Sequence, residues 1–251
     1  MTVLELALLG FAGLAAGLLN AVAGGGTFFT LPALIYAGVP PVIANATSTL
    51  AVLPGYVSSA WAFRDDLPAE GTLSTRTIIV IASIGSALGA GLLILTPGDA
   101  FLWIVPWLLL TATLLFAAGP MLTQHIQAGT PDGVGSWISG LAIFAVSIYG
   151  GYFNGGLGIL LLAVFSVLGF TNLHGMNGLK NILAAVLSLI SVGAFSLAGL
   201  IAWEQAILMA VCATLGGYAG ARVSRKIVRT DLLRAFVTLV GVGMTVAFFV
   251  R

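Results

Sequence analysis

The sequence predicts an all-α fold, a polytopic transmembrane helical bundle. Three observations point to it: a composition almost without charge, a succession of apolar stretches of membrane-crossing length, and an order of features that occurs twice. Apolar residues make up 59% of the 251 residues and Asp, Glu, Lys and Arg only 7%, whereas about a quarter of an ordinary soluble chain is charged. Bilayer lipid is therefore the expected solvent. The net charge of +1 is spread thinly over loops, and no nucleic-acid partner is expected from it.

In order, the apolar segments are 3–23, 27–37, 43–63, 74–96, 100–122, 134–153, 158–169, 178–201, 205–222 and 231–250. Most approach the roughly 20 residues needed to cross a hydrocarbon core. Segments 27–37 and 158–169 are too short. At 1.5 Å per residue each spans only about 17–18 Å, so each reads as a half-helix that completes a broken span. The first segment, Val3 to Val22, has no basic stretch before it and reads as a retained helix. All five tryptophans, Trp61, Trp103, Trp107, Trp137 and Trp203, fall near segment ends, where interfacial belts form. Gly10, Gly13 and Gly17, Gly85 and Gly89, and Gly216, Gly217 and Gly220 lie at helical spacings that suit close helix crossings. Cys212 is the one cysteine and reads as a small packing residue.

The longest polar stretch, Thr123 to Gly135, divides the chain into a first repeat (1–125), a linker (126–133) and a second repeat (134–251). A shift of 132 residues carries Gly24 to Gly156, Gly26 to Gly158, Asn45 to Asn177 and Thr49 to Asn181. Each half thus has a glycine-broken helix, a half-helix and a polar run. Arg222, Arg225, Lys226 and Arg229 crowd one loop and Arg64 and Arg76 flank another. The excess of basic residues in cytoplasmic loops then predicts inverted repeats with both termini outside.

Non-helical backbone inside a membrane is tolerated where protein buries it or where it lines a wet cavity. Gly24, Gly25 and Gly26, with Gly155, Gly156 and Gly158, are therefore the expected hinges, with tight helix crossing as the competing role. They are not expected to cradle nucleotide, because no strand precedes them and no Gly-Lys-Ser/Thr follows. Asn45, Thr47, Ser48 and Thr49 are expected where a helix starts after Pro40-Pro41, beside unpaired backbone N–H groups that favour an anion. Asn177, Lys180 and Asn181 stand at the equivalent point of the second half. Each amide or hydroxyl could equally be an ordinary helix cap, and Lys180 an interfacial lysine reaching for the surface. The recurrence in both halves favours a small anionic ligand. With only His125 and His174, and no acid deep in a span, neither a metal site nor another cofactor is expected, and an intramembrane enzyme is the weaker reading.

The stretch GLLNAVAGGGTFFTLPALIYAGVPPVIANATSTLAVLPG, from Gly17, resembles the first repeat motif of the TauE/SafE family of sulfite exporters and related anion permeases. The family motif has a glycine cluster, a short apolar stretch with a proline, a Gly-x-Pro-Pro turn and an Ala-Thr-Ser run. The second copy departs from it, with Phe153-Asn154-Gly155-Gly156-Leu157-Gly158 and Asn177-Gly178-Leu179-Lys180-Asn181. The resemblance implies a secondary transporter in the bacterial cytoplasmic membrane, exporting sulfite or organosulfonates by alternating access between two repeats. It carries over Asn45, Thr47, Ser48 and Thr49 as site residues, whereas Lys180 rests on this chain alone. A permease for another small anion, such as a carboxylate, is the alternative.

Overall fold

A computed structural model describes residues 1–22, 25–64, 73–129, 135–168, 170, 172–224 and 231–250. Among these residues it contains ten helices and no strand: α1 (Val3–Val22), α2 (Thr27–Tyr36), α3 (Pro41–Ala62), α4 (Thr75–Leu95), α5 (Gly98–Gly129), α6 (Ser136–Tyr152), α7 (Leu157–Val167), α8 (Leu173–Leu197), α9 (Trp203–Ser224) and α10 (Asp231–Val250). These helices follow the apolar segments closely, and the two short ones, α2 and α7, are where half-helices are expected. α5 runs past its apolar segment through Gly129 and takes in the start of the 126–133 stretch. Residues 130–134, together with Gly24, Arg225, Lys226 and Arg229, lie outside the described residues.

The bundle is apolar outside as well as inside. Val80, Ile84, Leu88, Leu92 and Leu95 form an exposed stripe along α4, and Ile207, Val211, Leu215 and Tyr218 form one along α9. Water would penalise such faces and lipid accepts them. The tryptophans are 51% to 84% exposed, as expected of side chains facing a membrane interface. α1, α4 and most of α8 are long and apolar enough to cross a bilayer by length and composition.

Lipid gives helices no hydrophobic reason to associate, so close packing and buried polar contacts must hold the bundle. Glycines supply the first. A Cβ on Gly13 would strike the backbone of Met209, one on Gly17 that of Ala213, and one on Gly220 that of Leu18. α1 and α9 therefore run side by side in the same direction. Cys212 packs into this seam beside Gly10 and Gly13. α3 runs alongside too: Gly55 lies on Ala213, Ser58 donates to Thr214 O at 3.2 Å and Ser59 to Gly217 O at 3.2 Å. The ends of α3 and α9, bearing exposed Arg64 and Arg222, consequently lie at one end of the bundle. Across the molecule Gly85 meets Phe144 and Ser147, Gly89 meets Ile148, and Gly151 meets Ser86, so α4 and α6 are likewise parallel neighbours. The most extensive contact of α1 is with α9 and that of α6 is with α4. Each half thus packs its first helix against the fourth helix of the other half, while α3 packs on α8 and α5 on α10.

Candidate functional site

Two chain breaks meet at the centre of this packing. After α1 the chain turns back on itself: Gly25 has φ +106° and Gly26 donates its N–H to Asn20 Oδ1 at 2.6 Å. A Cβ on Gly26 would lie 2.6 Å from Ala16 O, so the start of α2 sits against the middle of α1. α2 then stops at Gly38, whose φ of +82° lets Val39 N–H bond Leu34 O at 3.0 Å. Pro41 opens α3 at a position with no helical partner for an N–H. In the second half α6 ends at Tyr152, and Asn154 (φ +60°) and Gly156 (φ +70°) form the turn into α7. Gly155 lies in that turn, whereas Gly158 is already within α7.

The polar runs lie deeper in their helices than the first-turn position expected of them. Asn45 is the fifth residue of α3 and Asn177 the fifth of α8, and the first-turn N–H groups lie a turn earlier. The reason is that α3 starts directly at Pro41 and α8 at Leu173, just after Asn172. Asn45 and Lys180 reach across to the other half. Asn45 Nδ2 donates to Tyr152 O at 2.8 Å, at the end of α6. Lys180 Nζ donates to Asn20 O at 3.1 Å, near the end of α1, and to Asn177 Oδ1 at 2.8 Å. Asn20 and Tyr152 are themselves 132 positions apart, as Asn45 and Asn177 are.

The remaining run residues divide by what they touch. Thr47 accepts from Ala202 N–H at 3.0 Å and so caps the start of α9. Thr49 donates to Asn45 O within its own helix, and Ser48 shares a hydrogen bond with Thr30 of α2. Among the described residues, fully buried Asn20 Nδ2, Asn45 Oδ1 and both amide atoms of Asn181 have no partner. Lys180 is also fully buried, and its ammonium would carry a third N–H beyond its two bonds. A buried polar group left unpaired costs about 1–3 kcal/mol. Lys180 is joined to Asn20, and Asn45 to Tyr152, two residues before Asn154, whose carbonyl meets Thr27 at the start of α2.

Residue-type and motif reading did not single out Asn20, Thr30, Tyr56, Asn154 or Ser188. Asn154 joins three helices from both halves: it accepts from Tyr56 Oη at 3.4 Å, donates to Ser188 Oγ at 3.1 Å, and its carbonyl receives Thr27 Oγ1 at 3.5 Å. The available signal was a lone amide next to each glycine break, Asn20 before Gly24 and Asn154 before Gly155. Asn154→Leu should lower stability by about 1–3 kcal/mol, because it loses these bonds and strains a left-handed residue, whereas Asn154→Gly should lose less. Melting in detergent would show it, and equal melting of Asn154→Leu and wild type would contradict the hub role.

The family model for sulfite exporter TauE/SafE matches residues 9–248. This chain belongs to that family. Similar proteins include a "Probable membrane transporter protein" of Haemophilus influenzae, 30% identical over 96% of this chain and 92% of that protein. The "Probable membrane transporter protein ORF9" of Sinorhizobium sp is 30% identical over 86% of this chain and 82% of its own length. Escherichia coli YfcA, also named a probable membrane transporter protein, is 28% identical over 96% of this chain and 88% of its length. No solved structure matches the chain. Membership of the family and the lipid-facing exterior make the molecule a membrane transporter.

Proposed function

We propose that this transporter carries a small sulfur-containing anion, sulfite or an organosulfonate, outward across the bacterial cytoplasmic membrane as a secondary carrier without enzymatic turnover. The observation that carries this reading is Lys180: a fully buried basic side chain held by two neutral oxygens at the meeting point of two broken helices. Asn20, Asn45 and Asn181 supply the unpaired amide atoms beside the breaks. Asn177 positions the lysine, Ser48 and Thr47 tie α3 to its neighbours, and Thr49 bonds back within α3. The sulfur anion comes from the family, and the preference for an anion from the lysine.

Alternating access is proposed to arise from two inverted repeats, α1–α5 and α6–α10. The supporting contacts are reciprocal. Lys180, near the start of α8, bonds the end of α1, and Asn45, near the start of α3, bonds the end of α6. Because α1 and α3 both run alongside α9, the start of α8 and the end of α6 belong to opposite ends of the bundle, and the second half runs counter to the first. With Arg64 and Arg222 at the cytoplasmic end, both termini face outside. Rocking of one half on the other would break these two cross-links in turn.

Binding is tested by thermal shift with sulfite, sulfate, thiosulfate, ethanesulfonate and acetate, and transport by flux into proteoliposomes. Sulfite or ethanesulfonate should raise the melting temperature most. Asn45→Leu and Asn181→Leu should each slow flux about tenfold or more, the cost of one lost hydrogen bond to a charged group. Unchanged flux in both would overturn the site assignment.

A further inference from the structure

Lys180 fits a role beyond holding the anion. Its Nζ has two acceptors, Asn20 O and Asn177 Oδ1, and no third among the described residues. An ammonium has three N–H donors, whereas a neutral amine has two donors and a lone pair. These two acceptors satisfy the donors of the amine and leave one donor of the ammonium without a partner among the described residues. Among the described residues no counter-charge makes up the difference. The titratable or charged side chains on helices packed against α8 are engaged or placed elsewhere. Glu5 lies in the first turn of α1, at the far end from Asn20. Tyr56 of α3 donates to Asn154, and Tyr149 and Tyr152 of α6 donate to Gly155 O and Thr96. Arg76 is exposed in the first turn of α4, and α7 carries none. His174 of α8 has its side chain outside the described residues.

A lone charge of either sign is costly in such an interior, and an ammonium paired with an anion is much less so. We propose that Lys180 is the coupling site of the carrier: it takes up one proton together with one monoanion, and returns empty as the neutral amine. This rests on the reading of Lys180 as part of the anion site. Proton and anion then move in the same direction without net charge, and export proceeds whenever the outward anion gradient exceeds the opposing pH gradient. In atoms, the amine lone pair accepts a proton from water on the side where the anion binds. The ammonium gives that proton back to water when the anion leaves.

The chain contains two lysines, Lys180 and Lys226, so protein labelled with 15N at lysine Nζ gives two resonances, and Lys226→Arg leaves one. In lipid nanodiscs at pH 8 without anion, Lys180 should resonate as an amine. Ethanesulfonate, a monoanion that does not itself titrate, should convert it to an ammonium, and sulfite should do the same. With ethanesulfonate the half-saturating concentration should rise with pH, about tenfold per pH unit wherever the empty site holds the amine. An ammonium signal in the empty protein from pH 6 to 9 would overturn the proposal, and so would an amine signal that persists when thermal shift shows the anion bound. In those two cases the anion site survives. If neither anion shifts melting or the Lys180 signal, the anion site fails, and the coupling role with it.

Discussion

Lys180→Gln and Lys180→Met should both fold, melt within about 5 °C of the wild type and lose anion flux by about a hundredfold or more. The stability part follows from opposing terms of similar size. Gln can still donate to Asn20 O and Asn177 Oδ1, and Met gives up two hydrogen bonds worth about 0.5–1.5 kcal/mol each. Against that, either change removes a strongly polar amine whose burial itself costs free energy. In a chain of this size about 1 kcal/mol moves the midpoint by roughly 2–4 °C. The flux part does not cancel, because the basic side chain is the sole cation identified at the junction, and an anion entering without it must give up its hydration for amides alone. A hundredfold corresponds to about 2.7 kcal/mol, within the worth of a hydrogen bond to a charged group at about 1.5–3 kcal/mol. Lys180→Arg should not restore flux, since five fixed donors cannot be satisfied where two acceptors stand. Wild-type flux in Lys180→Met would remove the lysine from the anion site.

The fold was legible in the sequence because lipid leaves few solutions. Long apolar runs must be helices, and runs as short as 27–37 and 158–169 cannot span, so the two breaks could be placed before any packing was considered. The residues of the junction were legible only in part. Asn45, Asn177, Lys180 and Asn181 stood out because polar runs inside apolar sequence are costly. What they touch was not legible: Asn45 bonds Tyr152 O and Lys180 bonds Asn20 O, and backbone carbonyls leave no mark in a sequence. The same blindness hid the bond that Thr47 accepts from Ala202 N–H at the start of α9. Asn154 was hidden for another reason. Before a glycine pair it looks like turn chemistry, and its contacts with Tyr56 and Ser188 depend on a pairing between halves that only the folded chain creates.

That pairing makes the second large effect predictable, at glycines where the sequence shows only spacing. A Cβ on Gly17 would stand 2.1 Å from Ala213 O, one on Gly216 2.1 Å from Leu14 O and one on Gly89 2.1 Å from Ile148 O. All three obstacles are backbone, so neither rotamer change nor side-chain movement relieves them. Gly17→Val and Gly89→Val must therefore push apart the α1–α9 and α4–α6 pairs, the widest contacts of their helices. Overpacking in a well-filled core costs about 1–3 kcal/mol per site, and with three heavy atoms added against main chain the expected outcome is loss of monodisperse protein on gel filtration. Alanine at the same positions should fold but melt lower by several degrees. The internal control is Gly91 of α4, two residues from Gly89, where a Cβ meets nothing within 4 Å. Gly91→Ala should be neutral or stabilising by up to about 1 kcal/mol, from helix propensity. Equal melting of Gly89→Ala and Gly91→Ala would show that α4 and α6 do not cross where these contacts place them. The α1–α9 crossing would then be in doubt as well, because the same kind of glycine contact positions both.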